Sequence, residues 1–443
     1  MNIQSVTRRV LLPLLAVVMG LSSVQAREIN LTTSLATPVM SADQRQNTFI
    51  KISLEGFKQE HSEKRIPANI AIVLDKSGSM QGEKIQQARE AAVMAIQRLN
   101  ENDIVSVVSY DSRVQVVVPA TRVSDKHQIA RAIRNIHANG NTALFAGVSK
   151  GAQELRKFLD LNNVNRVILL SDGLANVGPS TPNELGQLGL SLAKEGMSVT
   201  TIGLGLGYNE DLMTQLAGYS DGNHAFVENA EDLARIFQYE FGDVLSVVAQ
   251  GVNIEIHCKN GVRPVRILGR EAEIRGNRIT TRMNQLYSEQ EKFIILEVEI
   301  PAQSEAQNLE VADVGVSYTN LYSKQAQSLR NRVLASFSQS EKQIQEAVDV
   351  ETYEAAAEQV ANEESRRAIK LRDQGDIEAA KSVLKQNAIY LDNLGQSLAS
   401  PKLLEQKAEA LQDAEELESE QGWNRKRKEL KERQYKRATQ QSY

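Results

Sequence analysis

An apolar stretch, Ala68 to Leu74, interrupted only by Asn69, ends abruptly in a carboxylate and two hydroxyls, Asp75-Lys76-Ser77-Gly78-Ser79-Met80. A run that is apolar without alternation demands burial on both faces, as in a parallel strand covered by helices. Ligands of doubly wound sheets bind at the carboxyl ends of the strands, where these three oxygen-bearing side chains stand. Oxygen ligands alone suit a hard divalent cation such as Mg²⁺. The same residues suit nucleophilic catalysis poorly, because no histidine lies near them.

From Pro67 onward, segments of strand and helix character alternate, which predicts a parallel sheet with helices on both faces. Lys84 to Leu99 places Ile85, Ala88, Ala92, Ala95, Ile96 and Leu99 on one stripe at helical spacing. Ile104 to Tyr110 and Val114 to Val118 flank the turn-like Asp111-Ser112 and read as a hairpin that adds an antiparallel edge. Val167 to Leu170 and Val199 to Leu204 read as central strands, and Asp232 to Leu245 as a final amphipathic helix.

Two further pieces complete a constellation. Gly140-Asn141-Thr142 lies in a loop ahead of the helical stretch Ala143 to Leu155, and Ser171-Asp172-Gly173 closes the apolar run Val167 to Leu170. Asp75, Ser77, Ser79, Thr142 and Asp172 are thus expected to meet above one sheet from three strand-to-helix loops. With these residues the region from about Pro67 to Ser246 resembles a von Willebrand factor A domain with a metal-ion-dependent adhesion site, D-x-S-x-S followed by a loop threonine and an aspartate. The form Asp-Lys-Ser-Gly-Ser-Met, followed by Gly82-Glu83-Lys84-Ile85, looks most like the inter-alpha-trypsin-inhibitor heavy chains and their bacterial relatives. The resemblance implies a divalent cation, Mg²⁺ or else Mn²⁺ or Ca²⁺, on those five residues, and a protein ligand that offers it an acidic side chain. It also implies that ligand binding is linked to a shift of the last helix. Lys76, between the ligands, reads as solvated, and Asp111 and Asp221 as turn residues.

Outside this unit the pattern changes to alternation. Phe49-Ile50-Lys51-Ile52-Ser53-Leu54 on one side, and Val252 to Ile256 and Phe293 to Ile300 on the other, read as half-buried strands. The first flank is too short to fold alone. The expected fold class is therefore an α/β unit with a doubly wound, mostly parallel sheet, residues 67–246. It is inserted in or flanked by a β-sandwich built from residues 27–66 and 247–322. Residues 323–443 read as helical throughout, with a hairpin turning at Gln374-Gly375-Asp376. Within them, an acid-rich stretch, Glu405 to Glu420, and a basic one, Arg425 to Arg437, read as solvated faces or a mobile tail.

Residues 1–26 have the pattern of an export signal: Arg8 and Arg9, an apolar core from Val10 to Leu21, and Val24-Gln25-Ala26 as a small-residue cleavage site. The apolar core is shorter than a membrane span. The expected location is the periplasm or the extracellular space. Cys258 is the single cysteine, which leaves no intramolecular disulfide and reads as a packed strand residue. A net charge of −5 is too mild to call for nucleic acid as a partner. No metal-activated hydrolysis is expected, since it needs a positioned base and none of His61, His127, His137 or His224 falls in the ligand loops. The expected role is a metal-dependent adhesion, scaffolding or assembly module. The alternatives are a metal-dependent hydrolase and a co-chaperone-like assembly factor.

Overall fold

The computed structural model describes residues 28–59, 65–420 and 422–442. The export segment expected at residues 1–26 lies outside them, as does His61. No helix among the described residues is long and apolar enough to cross a membrane.

The described residues begin with three strands, β1 (Asn30–Leu35), β2 (Val39–Ser41) and β3 (Gln46–Glu55). It then builds an α/β unit in the order β4 (Ala68–Asp75), α1 (Glu83–Gln97), β5 (Ile104–Tyr110), β6 (Val114–Arg122), α2 (Lys126–Arg134), α3 (Leu144–Arg156), β7 (Val164–Ser171), α4 (Pro182–Lys194), β8 (Met197–Leu204), α5 (Glu210–Ser220), β9 (His224–Val227) and α6 (Leu233–Val244). Seven strands follow: β10 (Val247–Cys258), β11 (Arg263–Leu268), β12 (Glu273–Arg275), β13 (Arg278–Tyr287), β14 (Glu291–Ile300), β15 (Asn308–Asn320) and β16 (Gln325–Ser338). The helices α7 (Glu341–Glu346), α8 (Val350–Asp373), α9 (Ile377–Ser397), α10 (Pro401–Glu416) and α11 (Trp423–Thr439) close the chain.

The central sheet has the order β6-β5-β4-β7-β8-β9, and every pair is parallel except the β5–β6 hairpin. Successive residues of β4 alternate between two cores, as the pleat requires. Ile70, Ile72 and Leu74 pack with α1, α2 and α6 on one face, while Ala71 and Val73 pack with α3, α4 and α5 on the other. Phe237 and Phe241 of α6 are both buried, which contributes roughly 2–3 kcal/mol each by burial alone. After β4 the chain first adds β5 on one side, and later β7 on the other. The strand order therefore reverses beside β4, and a crevice opens there at the carboxyl ends.

Strands from both flanks of this unit share a sandwich. One sheet has the order β1-β3-β14-β11 and the other β12-β13-β10-β15-β16-β2. Ile50, Ile52 and Leu54 of β3 meet Ile254 and Ile256 of β10 and Val314 and Val316 of β15 in one core. Helix α8 covers the outer face of the smaller sheet, where Ala355 and Ala356 pack on Leu268 and Ile295.

The structure corrects two expectations about residues 323–443. The segment Gln325–Ser338 is a strand, not a helix, and pairs with β15 along its length. Its inward residues Val333, Ala335 and Phe337 recur with period two. The first half of the strand is mostly exposed and polar, which hides that period in the sequence. The helices begin later, and Asp349, Asp376 and Ser400 cap α8, α9 and α10 by accepting from Thr352, Ala379 and Leu403 amides.

The basic stretch is not a solvated face or tail either. Helix α11 lies between the α/β unit and α8, and its Lys428, Leu430, Gln434, Tyr435 and Ala438 are buried. Its cations meet carboxylates at the start of α5: Arg427 pairs with Glu210 and Asp211, Lys428 with Glu210, and Lys431 with Asp211. It also satisfies the open edge of the sheet. Glu432 accepts from the Phe226 amide at 3.1 Å, and the Gln441 side chain bridges the amide and carbonyl of His224 at 3.1 Å each. Edge strands present unpaired backbone groups that recruit other chains, and α11 removes that liability from β9.

Candidate metal centre

Three loops at the carboxyl ends of β4 and β7 form the candidate site. β4 ends at Asp75, and a short 3-10 turn, Gly78–Met80, redirects the chain into α1. That turn is pinned to the threonine loop, since the Gly78 amide donates to the Gly140 carbonyl at 2.9 Å and the Asn139 amide to the Lys76 carbonyl at 2.7 Å. Gly140 has φ +81°, a conformation that L side chains resist, so glycine suits this bend.

The structure brings all five expected residues together. Asp75 is fully buried. Its Oδ1 accepts from the Ser77 amide at 2.8 Å and its Oδ2 from the Ser171 hydroxyl at 2.6 Å. Burial pushes the Asp75 carboxyl up, the bonds from Ser171 and Ser77 oppose that shift, and the neighbouring Asp172 charge adds to it. Ser77 Oγ and Ser79 Oγ are 3.0 Å apart, and Ser79 Oγ donates to Asp172 Oδ1 at 2.6 Å. Gly173 shows how closely the remaining oxygens converge. A Cβ on that residue would lie 3.2 Å from Ser79 Oγ, 3.3 Å from Thr142 Oγ1 and 3.9 Å from Ser77 Oγ. Three hydroxyls from two loops thus lie within 4 Å of one point on the third, next to Asp172.

This donor set fits a hard divalent cation. It contains only oxygen, and its two carboxylates supply charge that the neutral hydroxyls do not. A soft or borderline ion would call for sulfur or imidazole, and neither is present. Ser79 is exposed and Leu174 is 59% exposed, so the centre opens to solvent on one side.

Several residues that sequence reasoning passed over hold this geometry. Asn176 clamps the threonine loop: its Oδ1 accepts from the Thr142 amide at 2.8 Å while its own amide donates to the Thr142 carbonyl at 3.1 Å. Tyr110 is buried beneath Asp75 and donates to the Leu170 carbonyl at 3.3 Å. Burial, then the Asp75 charge, hold its phenol protonated. Lys76 is not solvated as expected, because its ammonium pairs with Asp111 and both side chains are largely buried. Asp221 likewise does more than turn the chain, and accepts from Arg270 at 2.5 Å. Lys84 donates to Asp172 Oδ2 at 2.6 Å. Only its position four residues beyond Met80 signalled it. Cys258 is buried, with its thiol pushed up to about 11 by desolvation, as befits a packed strand residue.

The same architecture occurs in known proteins. A sequence profile for the von Willebrand factor type A domain matches residues 69–239. An uncharacterized protein of Synechocystis sp. is 26% identical over 370 residues, covering 81% of this chain and 87% of that protein. Inter-alpha-trypsin inhibitor heavy chain H3 of Mus musculus is 27% identical over 199 residues. That match covers 43% of this chain but 22% of the heavy chain. Among solved structures, a von Willebrand factor type A protein from Catenulispora acidiphila superposes with a TM-score of 0.67 at 15% identity, over 86% of this chain and 90% of that one. The ArnB paralog VWA2 from Sulfolobus acidocaldarius superposes with a TM-score of 0.62 at 14% identity, over 94% and 99%. The doubly wound sheet, its five-residue oxygen cluster and these likenesses lead to one conclusion: residues 69–239 of this chain form a von Willebrand factor type A domain.

Proposed function

We propose that the chain is an exported binding module that grips an acidic side chain of a protein partner through a divalent cation, Mg²⁺ in the first instance and Mn²⁺ or Ca²⁺ otherwise. Asp75, Ser77, Ser79, Thr142 and Asp172 would hold the ion. The observation that carries this reading is the convergence of three hydroxyl oxygens around Gly173 beside Asp172. A cation held mainly by neutral oxygens keeps much of its charge and attracts an external carboxylate. The residues themselves orient and shield. Asp75 is locked by Ser77 and Ser171, and Asn176 fixes the threonine loop, so the donors stand in place before anything binds.

Binding suits this site better than hydrolysis. A general base must stand within reach of the water it activates. His224 is buried under α11, with Thr201 Oγ1 2.8 Å from its Nδ1, while His137 turns to the Asn135 carbonyl at 2.7 Å. Export is supported by the charged, apolar and small-residue succession of residues 1–26.

Capture from cell-envelope extract on the immobilised protein tests the reading. Retained partners should be lost with EDTA, lost when carboxylates in the extract are amidated beforehand, and lost on Asp172→Asn. Capture indifferent to chelation and to amidation would contradict it.

A further inference from the structure

Lys84 stands in the first turn of α1, five residues beyond Ser79, the last of the D-x-S-x-S positions that begin at Asp75. Its ammonium is at the metal centre. Nζ donates to Asp172 Oδ2 at 2.6 Å, while Ser79 Oγ donates to Oδ1 of the same carboxylate, also at 2.6 Å. The two oxygens of one buried group thus face two different neighbours, the hydroxyl cradle on one side and the ammonium on the other. Asp172 is fully enclosed, whereas the Lys84 side chain is 37% exposed. The ammonium therefore remains reachable from solvent beside the cradle's open face.

Gly205, at φ +68°, passes close to Lys84, and a Cβ on it would lie 3.6 Å from Nζ and 3.8 Å from Cε. The glycine leaves room for the lysine on that side. An ammonium carries three donors. Asp172 is the acceptor it meets among the described residues, so donors remain for an incoming group. Lys76 offers a contrast. It lies between the ligands in sequence, yet its ammonium is spent on Asp111 and its side chain is only 16% exposed.

We infer that Lys84 is a second cationic contact for the ligand's carboxylate, placed so that the metal ion takes one oxygen and the ammonium the other. This rests on the metal reading proposed above and deepens it. The ligand class is then a carboxylate with both oxygens free, rather than a neutral hydroxyl or amide. The arrangement also has opposed consequences for the two binding steps. Before the ligand arrives, the ammonium occupies Asp172 and repels a second cation. Afterwards it gains a charge-assisted hydrogen bond.

The test separates these steps. Binding of Mn²⁺ alone is followed by electron paramagnetic resonance. Acetate binding to the Mn²⁺-loaded protein is followed by the loss of water-proton relaxation as it displaces bound water. Lys84→Met should bind Mn²⁺ more tightly and acetate more weakly, each by about fivefold for one charge at contact distance near the surface. Lys84→Arg should retain acetate affinity. Opposite signs in one variant distinguish a ligand contact from general damage to the site. Unchanged acetate affinity in Lys84→Met that still binds Mn²⁺ would overturn the inference alone. Failure of the wild type to bind Mn²⁺ would overturn the metal reading and this inference with it.

Discussion

The ammonium of Lys428 donates to the backbone carbonyl of Tyr208 at 2.7 Å, joining two residues 220 positions apart. The bond ties the C-terminal helix α11 to the loop between β8 and α5. That loop runs under the metal centre, since a Cβ on Gly207 would lie 2.7 Å from the Asp172 carbonyl oxygen. The same ammonium pairs with Glu210 and sits 4.3 Å from the Tyr208 ring centroid. Lys428→Met removes these contacts, while Arg427 still neutralises Glu210. The expected loss is about 2 kcal/mol. It should appear as a lower denaturation midpoint and faster amide exchange in residues 204–209. Unchanged exchange there would mean that α11 does not hold the loop.

Removing residues 423–443 should have a different effect. It uncovers the β9 backbone groups now satisfied by Glu432 and Gln441, and leaves Glu210 and Asp211 without the cations of α11. An open edge next to a buried sheet pairs with other chains. Light scattering should detect concentration-dependent self-association of the shortened chain but not of the full one.

A second buried charge cluster joins the α/β unit to the sandwich. Arg166 of β7 is fully buried, pairs with Glu240 of α6 at 2.7 Å and donates to the Tyr287 hydroxyl of β13 at 2.8 Å. Desolvation opposes its charge, but Tyr287 and Glu240 more than offset that and keep it protonated. Arg166→Met alone removes the guanidinium that pairs with the buried Glu240 and should cost about 3–5 kcal/mol. The pair Arg166→Met with Glu240→Leu should cost less than Arg166→Met alone. A double variant as unstable as the sum of the two single variants would show that pairing is not what holds this junction.

The pH dependence follows from His224. Burial, and then the Lys436 and Lys428 charges, lower its imidazole from 6.5 to about 3. Between those values the unfolded chain takes up a proton that the folded chain refuses, so stability falls as pH drops through about 6.5. From pH 7 to pH 5 the loss from this group is about 2 kcal/mol. Asp243, whose carboxyl burial pushes up to about 6, acts in the opposite direction and cancels when two variants are compared. His224→Gln should therefore lose less stability than the wild type between pH 7 and pH 5 in chemical denaturation. Equal losses would contradict a neutral, buried His224.

How much of this was legible in the sequence depends on how each residue's environment is encoded. The strand before Asp75, the α1 stripe and the hairpin around Asp111 were readable because burial on a regular period leaves a regular pattern. The convergence of Asp75, Ser77, Ser79 and Asp172 was readable because they stand at the ends of such runs, and that of Thr142 because it precedes a helix in a glycine-containing loop. Strand β16 was not, because its exposed half carries Gln325, Gln327, Ser328 and Arg330 and shows no apolar period. Helix α11 was misread for a related reason. Lys428 is buried only because Glu210 and the Tyr208 carbonyl await it, and a partner more than 200 residues away leaves no local trace. Arg166 and Lys84 were passed over on the same ground, as their roles are set by Glu240 and Asp172 across the fold.

Whether the oxygen cradle around Gly173 holds a divalent cation is decided by calorimetric titration with Mg²⁺ and Mn²⁺, with Gly173→Ala as the decisive variant. Gly173 is not among the residues with positive φ, so alanine adds a methyl group within the cradle without straining the backbone. One binding event per chain is expected in the wild type, lost in Gly173→Ala while the melting temperature stays within a few degrees. Equal binding by the two proteins, or none by the wild type, would contradict cation binding in the cradle.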